Sequence, residues 1–189
     1  MIKNIIQMND PILNTKCKEV LEFNTTELSN LVQDLLDTCI EKEAISAGLS
    51  APQIGVGLQV CICRRMDLEN KHEQSIPVEQ LWEVMINPRV LTSSKNKSMY
   101  WEGCLSVGEG PNGLYGPVSR PATVEIEFCN ITGKKKYLRC SGFFSHIVQH
   151  EIDHLNGIIF LKYVNNPDNI WLSKDLDDYY EKNGDYPPV

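Results

Sequence analysis

His150 and His154 stand four residues apart in Gln149-His150-Glu151-Ile152-Asp153-His154. On a helix that spacing puts both imidazoles on one face, one turn above the other, so both reach a single ion. Glu151, beside the first histidine, then points past the ion at a water bound to it, which is the position of a general base in metal-assisted hydrolysis. Two imidazoles are half of a metal site, and the third ligand decides its type. Three residues past Gly157, where one class of zinc protease carries another histidine, the chain has Phe160, which cannot ligate. A thermolysin-type site takes a downstream carboxylate, and the donors on offer are Asp168, Asp175, Asp177 and Glu181 in a polar tail. Upstream, Cys104 lies among small residues in Glu102-Gly103-Cys104-Leu105-Ser106 and is the better candidate.

These residues need elements to hold them. Phe144, Ile147, Val148, Ile152 and Leu155 recur at helical spacing around the histidine pair, and Gly157 offers a helix stop. Residues 123–128 alternate as a half-buried strand, turn through residues 130–133 and return through 137–140, so a hairpin feeds the metal helix. Near the amino terminus, Asn24 with Glu27 forms a capping-box start for a helix whose apolar stripe is Leu28, Leu31, Val32, Leu35, Leu36, Cys39 and Ile40. The charged run Glu41-Lys42-Glu43 is its solvated end. Residues 45–53 are small, carry glycine and end in Pro52 and Gln53, a composition that lets something approach the backbone closely.

Residues 56–63 read as a strand with Cys61 and Cys63 facing one core, Arg64-Arg65 as strand-end charges, and the polar stretch through Ser75 as a surface excursion. Residues 81–86 form another strand ending at an Asn87-Pro88 turn, and residues 93–98 loop out before Met99-Tyr100-Trp101 leads to Cys104. The glycines and prolines crowding residues 108–117 predict a long irregular loop beside the site. The fold class expected is α+β, antiparallel strands around a central metal-binding helix. Residues 1–166 make the catalytic unit, and residues 167–189 form a helical tail packing Trp171, Leu172, Tyr179 and Tyr180 on it.

At 189 residues the chain buries enough surface to need no disulfide staples, and its seven cysteines form no paired framework, which points to a reducing compartment. Residues 1–13 lack the apolar run of a signal peptide, and no stretch reaches the length of a membrane span, so a cytoplasmic location is expected. A net charge of −7 argues against a nucleic-acid groove.

Gly48-Leu49-Ser50-Ala51-Pro52-Gln53, Glu102-Gly103-Cys104-Leu105-Ser106 and Gln149-His150-Glu151-Ile152-Asp153-His154-Leu155-Asn156-Gly157 resemble, in that order, the three signature motifs of peptide deformylases. The second and third match fully, and the first matches except at Ser50. The likeness extends to Asp10-Pro11-Ile12-Leu13 and runs to about residue 163. It implies a divalent ion on Cys104, His150 and His154. In the family that ion is typically Fe2+, with Zn2+, Ni2+ or Co2+ as substitutes, whereas the ligand types alone suggest zinc. It further implies that the bound water attacks the formyl carbonyl of an N-formyl-methionyl nascent peptide, releasing formate, with Glu151 as general acid and base. The oxyanion falls to the Leu105 N–H and the Gln53 amide. The peptide adds as a strand along Ala47, Gly48 and Ser106, and Ile147 and His146 line the pocket for its first side chain.

The chain departs from that pattern in four places. Ser46 replaces a usual glycine, Ser50 a usual alanine and His146 an apolar pocket residue, and the stretch at residues 107–117 is longer than common. Some members dock a basic C-terminal helix on the ribosome, whereas this acidic tail suits no RNA. A monomer is expected. The other readings are a metalloprotease of the His-Glu-x-x-His class, a deformylase fold with altered or lost activity, and a non-catalytic protein with a structural metal site.

Overall fold

The computed structural model describes residues 1–42, 46–69 and 81–189. In chain order the elements are α1 (Thr26–Glu41), β1 (Gly48–Ser50), β2 (Val60–Arg64), the helical turn α2 (Met66–Glu69), β3 (Trp82–Ser93), β4 (Lys97–Gly103), β5 (Leu114–Pro121), β6 (Thr123–Cys129), β7 (Lys135–Ser141), α3 (Gly142–Leu155), β8 (Trp171–Leu172) and α4 (Ser173–Asn183). A five-stranded sheet runs β1-β2-β3-β6-β7 and a three-stranded sheet β4-β5-β8, with every pairing between these strands antiparallel. α3 packs against strands of both sheets, which makes the fold α+β around a central helix.

The two-residue alternation of β2 explains where the cores lie. Cys61 and Cys63 face α3, in one cluster with Met85, Val124, Ile126 and Phe128 from the sheet and Phe144, Val148, Ile152 and Leu155 from the helix. Val60 and Ile62 face the other way, onto Leu28, Leu31, Val32 and Leu35 of α1. Each such fully buried aliphatic side chain stabilises the fold by about 1.5–3 kcal/mol. A third cluster of Leu13, Val107, Val118, Ile159 and Phe160 closes the side of the small sheet. The hairpin β6–β7 runs directly into α3. The helix stops at Asn156, where Gly157 takes φ +71 and lies so close to Asn14 and Thr15 that a Cβ would come within 2.8 Å of their backbone.

Several local expectations move. α1 is capped by Thr25, whose hydroxyl accepts the Leu28 N–H at 3.1 Å, while Asn24 sits one residue outside the cap at φ +59. Of the expected stripe, Ile40 is exposed and Thr38 takes the buried place. Asn87-Pro88 is no turn. β3 passes straight through it with a register shift between Ile86 and Arg89, Asn87 at φ +51 making a bulge that tolerates the missing proline N–H. The Asn87 side chain closes the gap by bonding both the N–H and the C=O of Val20, each at 2.9 Å. The irregular stretch is also shorter than expected, because Leu114–Pro121 pairs along β4 from Lys97↔Pro121 to Gly103↔Tyr115. β2 begins only at Val60. Of the expected surface excursion after Arg65, residues 70–75 lie outside the described residues, as does Glu43.

Candidate metal centre and active site

β4 ends at Gly103, so the next residue, Cys104, leaves the small sheet where α3 passes beneath it. α3 carries His150 and His154 on the face turned to it, and the ligand atoms of Cys104, His150 and His154 all lie within 4.8 Å of one another. Cys104 Sγ is 3.3 Å from His154 Nε2. His150 Nδ1 donates to Glu102 Oε2 at 3.0 Å, which fixes the tautomer and leaves Nε2 free to ligate. Burial pulls both imidazoles down, and for His154, further opposed by the charge of His150, it wins. For His150 the bonds with Cys104 and Glu102 outweigh burial and raise it well above its ordinary value. A thiol and two imidazoles thus stand together, His154 buried and Cys104 and His150 partly so. A divalent transition metal suits them, since a thiolate and two neutral rings are its preferred donors. Nδ1 of His154 is buried with no partner among the described residues. Asp168, Asp175, Asp177 and Glu181 do not join the cluster, and the residue grouped with the two histidines is the upstream cysteine.

Glu151 sits one residue along the helix, nearly inaccessible, and burial pushes its carboxyl up against the weaker pull of His150. The Ser50 hydroxyl donates to its Oε2. Gly48 leaves room for it, because a Cβ there would stand 2.6 Å from Glu151 Oε1. The Gln53 side chain is oriented by its Oε1, which accepts the Ser50 N–H at 2.9 Å. Its amide then reaches Cys104 Sγ at 3.5 Å and Ser106 Oγ at 3.2 Å.

A charged network behind the site escapes sequence reasoning. Arg120 of β5 grips Glu102 with Nε to Oε1 at 2.6 Å and Nη2 to Oε2 at 2.9 Å, and its Nη1 holds Asp153 Oδ2 at 2.6 Å. Glu102 also accepts His146 Nδ1 at 3.1 Å, while His146 Nε2 faces the Ser98 carbonyl at 3.1 Å. Burial alone would raise the Glu102 carboxyl, but Arg120, His146 and His150 hold it well below the usual carboxylate range. His146 and His150 thus share the Glu102 carboxylate, one on each oxygen, and Arg120 anchors it. No local pattern around Arg120 in the sequence points to these partners.

A cavity of about 600 Å³ opens onto these groups. Ala47, Gly48, Gln53, Cys104, Leu105, His146, Ile147, His150 and Glu151 line it. His154 lies behind the wall. Ser106, expected on the peptide path, is fully buried, with its carbonyl taken by the Met8 N–H at 2.8 Å and its hydroxyl by Gln53, so it supports Gln53 instead. The Leu105 N–H makes no hydrogen bond among the described residues. Residues of α4 also line the cavity, which nothing in the tail sequence announced.

A sequence model described as polypeptide deformylase matches residues 2–169. A peptide deformylase of Rhizobium meliloti is 35% identical over 163 residues, 86% of this chain and 85% of the relative. A crystal structure of class I type b peptide deformylase from Acinetobacter baumannii with Met-Ala-Ser bound is similar at a TM-score of 0.73 and 28% identity, covering 87% of this chain and 99% of that one. The peptide deformylase structure from Ehrlichia chaffeensis is similar at 0.74 and 25% identity, with both chains covered in full.

Proposed function

The chain belongs to the peptide deformylase family, metal-dependent hydrolases that remove the formyl group from new peptides, and from that premise we propose that it deformylates N-formyl-methionyl nascent chains through Glu151. The observation that carries the reading is the convergence of Cys104, His150 and His154 beside Glu151 and Gln53 in one cavity. A divalent ion on those three ligands, Fe2+ by family likeness with Zn2+, Ni2+ or Co2+ as substitutes, would polarise the formyl carbonyl and acidify a water.

The side chains do the rest. Glu151, buried and raised, takes a proton from the attacking water as the C–O bond forms. It then returns that proton to the departing amine nitrogen as the C–N bond breaks, so formate and a free amino terminus leave and Glu151 is restored. Ser50 and the bare backbone of Gly48 hold its carboxylate in line. The Gln53 amide and the Leu105 N–H stabilise the oxygen that becomes negative. β1 is the edge of the five-stranded sheet and accepts the substrate backbone as a further strand beside Ala47 and Gly48, where the Ala47 carbonyl already takes the Arg64 N–H at 2.8 Å and the Gly48 carbonyl the Ser46 hydroxyl at 3.0 Å. The first side chain enters beside Ile147 and His146. Both ring nitrogens of His146 are engaged by Glu102 and Ser98, so the ring stays fixed as a pocket wall.

No helix among the described residues is long and apolar enough to cross a membrane. The reading further takes the chain as a monomer working where its seven free cysteines stay reduced. Anaerobic loading with Fe2+ followed by formate assay tests the function. Formyl-Met-Ala-Ser should release formate while an unformylated peptide of the same length stays intact. Internal cleavage of the unformylated peptide would establish a protease, and no formate in any metal form would leave a structural metal site.

A further inference from the structure

The tail is joined to the active site rather than appended to the domain. β8 continues the small sheet, with Gly103 opposite Tyr115 and Tyr115 opposite Trp171 in one row across three strands. Two strand spacings of about 4.8 Å set Trp171 roughly 10 Å from Gly103, the neighbour of Cys104. Ser173 then donates its N–H to the Gly113 carbonyl at 2.7 Å and starts α4, whose Leu176 is buried. Trp101 is the hinge pin of this arrangement, with Trp171 edge-on at 6.4 Å and Tyr186 stacked at 6.1 Å. One face of α4 therefore becomes cavity wall, contributing Ser173, Lys174, Asp177 and Asp178 opposite the loop that carries Glu109.

Charges on that wall are unequal. Lys174 pairs with Asp178 at 2.9 Å, and Glu109 pairs with Lys42 at 3.0 Å. Asp177 has only the Ser173 hydroxyl, at 3.4 Å, among the described residues. Its charge is felt at Tyr115, where burial first and Asp177 second push the phenol up. An extended peptide advances about 3.3–3.6 Å per residue, so a chain with its formyl group at Cys104 spans the distance to β8, which runs directly into α4, with its third or fourth residue.

Resting on the deformylase reading, we propose that α4 is a specificity wall for the downstream part of the substrate, Asp177 favouring a basic over an acidic side chain at the third or fourth residue. A cavity of about 600 Å³ has room for this segment beyond the formyl-methionine. Product-type peptides Met-Ala-Lys-Lys and Met-Ala-Glu-Glu, titrated into the full-length, metal-loaded protein and followed by tryptophan fluorescence, test it. The lysine peptide should bind about two- to fivefold more tightly, the range of a partly exposed ion pair, and Asp177→Lys should abolish or invert the ratio while Asp177→Asn brings it near one. The same ratio in wild type and Asp177→Lys would remove α4 from the binding path. Formate release from the formylated pair reports separately on the deformylase reading. Charge-dependent binding without formate would sink that reading and keep the wall. Formate release with no charge preference would do the reverse.

Discussion

Arg120→Met removes the anchor of the buried network and leaves the carboxylates of Glu102 and Asp153 without their cation. Arg120 and Glu102 are each only 6% exposed at the side chain, so water cannot replace the lost partner. Breaking a buried pair from one side costs about 3–5 kcal/mol, a large part of a typical domain's stability. For a chain of this size each kcal/mol lowers Tm by about 2–4 °C, so the variant should melt about 6–20 °C below wild type. The assay is thermal unfolding by circular dichroism on metal-free protein, which separates the network from metal binding. Arg120→Met combined with Glu102→Gln should recover part of the loss, since the uncompensated charge is gone. Metal affinity should also fall about 10–100-fold, because Glu102 then holds His150 less firmly. Melting within about 2 °C of wild type would refute the reasoning.

Gln53→Ala should lower kcat/KM for a formylated peptide by about 10²–10³, the usual effect of losing one oxyanion donor, and near-normal turnover would remove Gln53 from that role. Gly48→Ala forces Glu151 from its place, since the new Cβ would lie 2.6 Å from Oε1, so kcat should drop about 100-fold with the far-ultraviolet spectrum unchanged. Unaltered kcat in that variant would show that Glu151 has slack. Glu102 has a folded-state pKa depressed below its ordinary 4.5, so its contribution to stability is present above that value and is lost as pH falls through and below it. Unfolding free energy should therefore decline more steeply below pH 4.5 in wild type than in Glu102→Gln; parallel curves would contradict the network.

The grouping of Cys104 with His150 and His154 was legible because a helix converts a four-residue spacing into a shared face, and because Cys104 sits in a short motif of small residues. The core was legible in the same way. Cys61 and Cys63 alternate with Val60 and Ile62, and the sheet sends the two pairs to opposite helices. What stayed hidden depends on contacts that no local pattern encodes. Arg120 meets partners 18 and 33 residues away, through strand pairing and a helix packed beneath it. β8 is two residues long, too short to show an alternation, and its place follows from Trp171 and Tyr186 packing on Trp101. Asn87-Pro88 carries the composition of a turn, yet neighbours on both sides of β3 hold the strand through it and leave only a bulge. In the sequence Ser50 is a small residue that departs from a family pattern, and the fold alone shows its hydroxyl holding Glu151.

X-ray absorption at the metal edge of protein loaded anaerobically with Fe2+, and in parallel with Zn2+, tests the central claim most directly. One sulfur scatterer at about 2.3 Å and two imidazole nitrogens at about 2.0–2.1 Å are expected in the zinc form, with the sulfur lost in Cys104→Ser. A shell of nitrogen and oxygen alone in wild type would contradict the assignment of Cys104, His150 and His154 as the ligands.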